Sequence, residues 1–302
     1  MRFEGTYTAL ITPFIDNLLD RDGLRRLIQF QIAGGVDGLV ILGTTAETPT
    51  LSVSEKHAII AITLEEVNGR IPVIAGVGSY STQETIDQAL SAERMGVDGL
   101  LVVAPYYNRP TQEGLFRHFE AVAEAVHTPI IVYNIQGRTG VNIETDTLAR
   151  IAELPNIVGV KEASGNIGQA NDVIHTIAMQ RPEFCVLSGD DAMALAMIAQ
   201  GGHGVISVIS NLVPRETSVM IRAALSGDHG TAKELHHRLY PVYKGAFLES
   251  NPVPIKTAMG MQGLPAGEVR LPLWAMSAVN KERLLAALTS FYAPARQAEV
   301  RS

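Results

Sequence analysis

Short, continuously apolar runs recur along the first three quarters of the chain. Each is followed by a polar or glycine-containing turn and then by a longer stretch with helical spacing. The runs fall at residues 8–11, 38–42, 73–75, 99–103, 130–133, 157–160, 185–187 and 204–208. Helical spacing marks residues 23–33, 54–67, 82–95, 112–126, 145–152, 168–178, 192–200 and 214–225. Ser54 and Thr82 stand where N-caps are expected, and Gly34-Gly35, Gly96 and Gly201-Gly202 suit left-handed helix ends. Strands that are apolar throughout, rather than alternating, are buried on both faces. Strand–helix alternation joins parallel strands by right-handed crossovers. Eight such units over roughly 225 residues predict an α/β fold, a closed (β/α)8 TIM barrel, where an open doubly wound sheet usually has fewer strands. Beyond about residue 228 the pattern turns helical, with prolines at 241, 252, 254, 265 and 272. Residues 1–227 are thus expected to form a catalytic barrel and 228–302 a C-terminal helical appendage, with the charged tail Glu299-Val300-Arg301-Ser302 frayed.

Composition narrows the chemistry. Hydrophobic residues make up 46% of the 302, enough for a full core, and the net charge of −7 is spread without a basic block. Nucleic acid and anionic membranes are therefore not expected partners. No apolar run is long enough to span a bilayer, and the N-terminal residues lack the pattern of a signal peptide, so a cytoplasmic location is expected. The single cysteine, Cys185, excludes an internal disulfide framework, and its place at the start of an apolar run predicts a small buried residue. Met193 and Met197 are spaced as a core-facing pair, and His236-His237 reads as solvated helix surface. The histidines are scattered and form no His-x-x-x-His or His-Glu-x-x-His pair, which disfavours a metal-dependent aldolase. The glycines at 76–78 and 201–204 make neither a P-loop nor a dinucleotide fingerprint.

In such barrels the chemistry gathers where strands end. The second run ends in Gly43-Thr44-Thr45-Ala46-Glu47, the fourth in Pro105-Tyr106-Tyr107-Asn108, the fifth in Tyr133-Asn134 followed by Gly137-Arg138-Thr139-Gly140, and the sixth in Lys161-Glu162. Lys161 is the only lysine between His57 and Ala232. Strand alternation sets Ile157, Gly159 and Lys161 on one face; if that face is inward, Gly159 leaves space beneath the ammonium. A strand-end lysine commonly snorkels into solvent, whereas an inward one loses hydration, becomes neutral more easily and can attack a ketone. Tyr133 shares the inward phase of Ile131, as a core aromatic or as a proton donor and acceptor beside Lys161. Thr44 and Thr45 either end a strand or hold a carboxylate, and Arg138 is either a surface ion pair or a bidentate carboxylate clamp.

These segments resemble the dihydrodipicolinate synthase and N-acetylneuraminate lyase superfamily. So do Leu187-Ser188-Gly189-Asp190-Asp191, the run from Gly201 to Val208, and Asn251-Pro252-Val253-Pro254-Ile255-Lys256. The likeness extends over essentially the whole chain, and Gly137-Arg138-Thr139-Gly140 favours the synthase branch. The resemblance implies a lyase in which Lys161 forms an imine with pyruvate and Tyr133, Thr44 and Tyr107 relay protons, Tyr107 reaching in from a neighbouring subunit. It further implies that Thr45 binds the pyruvate carboxylate, Ile206 lies beside the keto acid, and Arg138 holds aspartate semialdehyde. A homotetramer built from two tight dimers, with no cofactor and no metal, completes the implied picture. Two places depart from the pattern. Gln136 replaces a usual proline before the Arg138 loop, which keeps open a sister reading: an imine-forming 2-keto-acid lyase, aldolase or dehydratase with another second substrate. Val53, Lys56 and Tyr80 replace residues that complete an inhibitory lysine pocket in regulated members, so weak or absent lysine sensitivity is expected. A non-catalytic barrel retained as a binding subunit sits poorly with so complete a set of reactive residues.

Overall fold

Eight parallel strands close on one another in the computed structural model, which describes residues 2–293. They are β1 (Gly5–Ala9), β2 (Gly38–Ile41), β3 (Val73–Gly76), β4 (Gly99–Val103), β5 (Ile130–Asn134), β6 (Ile157–Glu162), β7 (Cys185–Ser188) and β8 (Gly204–Ser207), with β8 pairing back onto β1. The predicted tail 299–302 lies outside the described residues. Side chains alternate between two cores. Tyr7, Val40, Ile74, Leu101, Ile131, Leu187 and Ile206 fill the barrel, while Leu39, Val73, Leu100, Val132 and Val205 pack outward under the helices. Each fully buried aliphatic side chain contributes about 1.5–3 kcal/mol, so both layers are needed to hold the strands closed.

The differences from the predicted elements have local causes. The first strand is Gly5–Ala9 rather than 8–11, because Thr6 and Thr8 are buried in it; Thr8 Oγ1 donates to Gln31 Oε1 at 2.7 Å. The apolar stretch after Ala9 is buried loop, leading to a small hairpin of Phe14–Ile15 and Leu18–Leu19. The caps are Ser52 and Ser81, not Ser54 and Thr82; Ser52 forms a capping box with Glu55. The helix expected at 168–178 is Ile167–Val173 followed by a π-turn over Ile174–Ala178, and the one expected at 192–200 is Ala194–Ala199. Met197 is in the core and Met193 packs against it. His236 is half-buried against Tyr240 and Tyr243, so only His237 fits the predicted solvated surface.

After the barrel come the helices His229–Gly245, Val253–Met261 and Ala278–Tyr292. No helix among the described residues is long and apolar enough to cross a membrane. The middle helix returns to the barrel mouth. Its Lys256, buried, pairs with buried Glu47 at 2.8 Å and also donates to the carbonyls of Thr12 (3.0 Å) and Glu268.

Candidate active site

Pairing across β5 and β6 sets Tyr133 opposite Lys161. A bulge makes this possible: the register jumps from Ile130–Ile157 to Ile131–Gly159, so Val158 is the extra residue. Ile157 therefore joins the outer core while Gly159 and Lys161 face inward, which corrects simple alternation along this strand. Gly159 does not clear space beneath the ammonium either. A Cβ there would meet Cys185 Sγ at 2.1 Å, so its missing side chain accommodates the buried cysteine. The glycine that makes room for the lysine is Gly189, whose added Cβ would lie 2.6 Å from Ala163 Cβ and 3.0 Å from Lys161 Cε. A Gly189→Ala substitution is expected to displace the Lys161 chain and cut its modification by pyruvate and borohydride about tenfold, read by intact-protein mass spectrometry. An unchanged rate would mean that the lysine does not depend on this space.

Lys161 is 6% exposed, with its Nζ 4.2 Å from the centroid of the Tyr133 ring. Burial lowers its pKa to about 7; Asp191 opposes that shift and Arg138 adds to it. Asp191 is itself buried and pushed up to about 6 by desolvation, although its Oδ2 accepts the backbone N–H groups of Val208 (2.9 Å) and Ile209 (3.1 Å). Burial pushes the Tyr133 phenol up to about 12, with Arg138 and the Thr44 hydroxyl partly offsetting it. On the outward side of the same strand ends, Asn134 Nδ2 donates to Glu162 Oε2 at 3.1 Å. This buried pair fixes the residues next to Tyr133 and Lys161.

A cavity of about 40 Å³ at Lys161 is walled by Ala9, Val40, Thr44, Thr45, Tyr133, Arg138, Gly189, Val208, Phe247 and Asn251, among others. It shares Thr44, Tyr133 and Arg138 with a cleft of about 380 Å³ that passes Ser79, Tyr80, Glu84, Tyr106 and Lys56. Thr44 and Thr45 lie in the 3-10 turn Thr44–Ala46 after β2, Thr45 buried. Arg138, on the single helical turn Gln136–Thr139, donates from Nη2 to the carbonyl of Asn251 at 3.1 Å.

The structure thus brings Lys161, Tyr133, Thr44, Thr45 and Arg138 together. Ile206 sits deeper, in the barrel core, and Val208 rather than Ile206 walls the cavity. Tyr107 stands apart, 92% exposed with its backbone at φ 72°. Among the described residues no three His, Cys, Asp or Glu side chains cluster as metal ligands would. Strand periodicity does not mark Gly189, Asp191 or Asn251, although all three fall in segments that carry the family resemblance. For the first two, the signal in the sequence is the glycine and aspartates directly after the seventh strand.

A parallel barrel with a buried lysine, a tyrosine against it and two threonines and an arginine on its C-terminal rim has the make-up of a lyase. Among curated relatives, the 4-hydroxy-tetrahydrodipicolinate synthase of Protochlamydia amoebophila is 55% identical over 285 residues, 94% of this chain and 95% of that protein. The chain belongs to the dihydrodipicolinate synthetase family, whose model matches residues 2–291. A solved 4-hydroxy-tetrahydrodipicolinate synthase from Methylacidiphilum fumariolicum SolV is 46% identical, covers 96% of each chain and superposes with a TM-score of 0.94. A synthase structure from Cyanidioschyzon merolae with lysine bound is 37% identical, covering 96% of this chain and 98% of that one, with a TM-score of 0.92.

Proposed function

We propose that the protein catalyses the 4-hydroxy-tetrahydrodipicolinate synthase reaction, joining pyruvate to L-aspartate 4-semialdehyde in lysine and diaminopimelate biosynthesis. The observation that carries this reading is Lys161 Nζ, buried and within 4.2 Å of the Tyr133 ring centre in a cavity that opens towards Thr44 and Arg138. Neutral Lys161 adds to the pyruvate ketone, and the resulting hydroxyl takes a proton from the Tyr133–Thr44 relay and leaves as water, giving the protonated imine. The imine draws electrons from the neighbouring methyl group, and the Tyr133–Thr44 relay removes a proton to give the enamine. The enamine carbon attacks the aldehyde held by Arg138, and the new alkoxide takes a proton back from the relay. The substrate amine then attacks the imine carbon, closing the ring and releasing Lys161 as the free amine, while the ring nitrogen returns its extra proton to the relay. Thr45 holds the pyruvate carboxylate, and Ile206 supports the keto-acid site from the barrel core. No organic cofactor or metal is required by these steps.

Tyr107 completes the relay from the neighbouring protomer in this reading. A left-handed backbone and high exposure suit a tyrosine held out for a partner's site. The assembly proposed with it is a homotetramer of two tight dimers, and the proposed location is the cytoplasm. Sodium borohydride with pyruvate should fix a mass increment on Lys161, and coupled assays should show turnover with aspartate semialdehyde. An unmodified Lys161 would overturn the imine. Trapping combined with turnover of a different aldehyde would move the chain to the sister lyases.

Weak lysine inhibition follows from the outer cleft. Lys56, partly buried there, donates to Gln88 Oε1 at 3.2 Å and already places an ammonium close to Glu84. A free lysine would bring a second cation against the first. Titration with L-lysine is expected to leave at least half the activity at about 1 mM, by the repulsion between like charges; a sharp loss at micromolar lysine would refute this.

A further inference from the structure

The turn before the helix Val253–Met261 places Asn251 at the catalytic mouth, 206 residues from Thr45 in the chain. Its side chain is 6% exposed and lines the same cavity as Lys161. Nδ2 donates to Thr45 Oγ1 at 2.9 Å, and the backbone carbonyl accepts from Arg138 Nη2 at 3.1 Å. A threonine hydroxyl has one hydrogen to give and two lone pairs to receive with. Since Asn251 occupies a lone pair, the Thr45 hydrogen stays available, and among the described residues no protein atom takes it. Asn251 Oδ1 is buried without any partner, so this amide does not owe its place to fully satisfied packing.

We propose that Asn251 is a positioning residue for both carboxylate-binding groups: its side chain aims the Thr45 hydroxyl into the Lys161 cavity, and its carbonyl orients Arg138. The C-terminal helical region is then part of the active site. The proposal rests on the reading that Thr45 receives the pyruvate carboxylate. It separates the two ties, because a side-chain substitution removes the first and keeps the second.

The test measures the pyruvate concentration that gives half-maximal borohydride trapping at Lys161, which needs no second substrate. Asn251→Ala is expected to raise it about tenfold, the scale of one lost orienting hydrogen bond. In a Thr45→Val background the same change is expected to add less than about twofold, since nothing remains to aim. The KM for aspartate semialdehyde should move less than about twofold, because the Asn251 carbonyl is retained. Asn251→Leu, close to asparagine in volume, serves if the alanine variant does not fold. Half-saturation unchanged in the folded variant, or an effect that persists undiminished without the Thr45 hydroxyl, would overturn the proposal. A wild-type protein that pyruvate and borohydride do not label would overturn the pyruvate reading itself, and this inference with it.

Discussion

Lys161→Arg is expected to lower turnover by about 10⁴-fold or more, because it removes the amine proposed to form a covalent bond with the ketone. Arginine retains the positive charge and much of the length, so the comparison isolates nucleophilicity. A guanidinium stays protonated at any working pH and cannot attack. Borohydride labelling should disappear with the activity; labelling that continued at another residue would shift the imine elsewhere. In the unaltered protein the trapping rate should climb about tenfold per pH unit below 7 and level off above it, since burial lowers the Lys161 pKa to about 7 and only the neutral amine reacts. Stability should follow the same group. The folded pKa lies below the unfolded value, so below pH 7 the folded state carries the full cost of a buried ammonium. That cost shrinks as pH rises from 7 towards the unfolded value, where the unfolded chain still binds the proton. Lys161→Met is therefore expected to melt higher than the unaltered protein at pH 6, with the margin narrowing at pH 9. A lower melting temperature at pH 6 would mean that the ammonium is better solvated than its burial implies.

Much of this site could be read from the chain because its parts lie at or just after the ends of barrel strands. Periodicity marks the strands, and the residue after each apolar run is already at the mouth: Thr44 after β2, Tyr133 at the end of β5 and Lys161 near the end of β6. Periodicity fails where one extra residue changes its phase. Val158 does so in β6, and strict alternation consequently misassigns Ile157 and gives Gly159 the role that belongs to Gly189. It also fails for groups delivered from a distance. Asn251 and Lys256 belong to a segment with the look of an ordinary proline-punctuated helix, and their partners Thr45 and Glu47 are more than 200 positions away. No local pattern encodes such a pairing. Tyr107 is a third case: it is exposed in the single chain, and its proposed place in the relay needs a second protomer.

The longest-range of these contacts has the largest expected effect on stability. Glu47 closes the turn that carries Thr44 and Thr45, with its backbone in the left-handed region at φ 57°. One carboxylate oxygen accepts from Lys256 Nζ at 2.8 Å and the other from the Arg270 backbone at 2.8 Å. The two remaining donors of Lys256 go to two carbonyls, and its Nζ also lies 4.5 Å from the centre of the Phe14 ring. Desolvation lowers the Lys256 pKa while the Glu47 charge opposes it, as expected for an ammonium retained inside the protein by its partner. Lys256→Met leaves the buried Glu47 carboxylate without its ion-pair partner, which costs about 3–5 kcal/mol. Lys256→Met combined with Glu47→Gln removes both charges and should cost clearly less than the two single losses added together. Urea unfolding at matched protein concentration measures all three. Because the loosened turn holds Thr44 and Thr45, the single variants should also need more pyruvate for half-maximal trapping. A Lys256→Met protein within about 1 kcal/mol of the unaltered chain would show that water reaches Glu47, and that the helical region is not what holds the turn carrying Thr44 and Thr45.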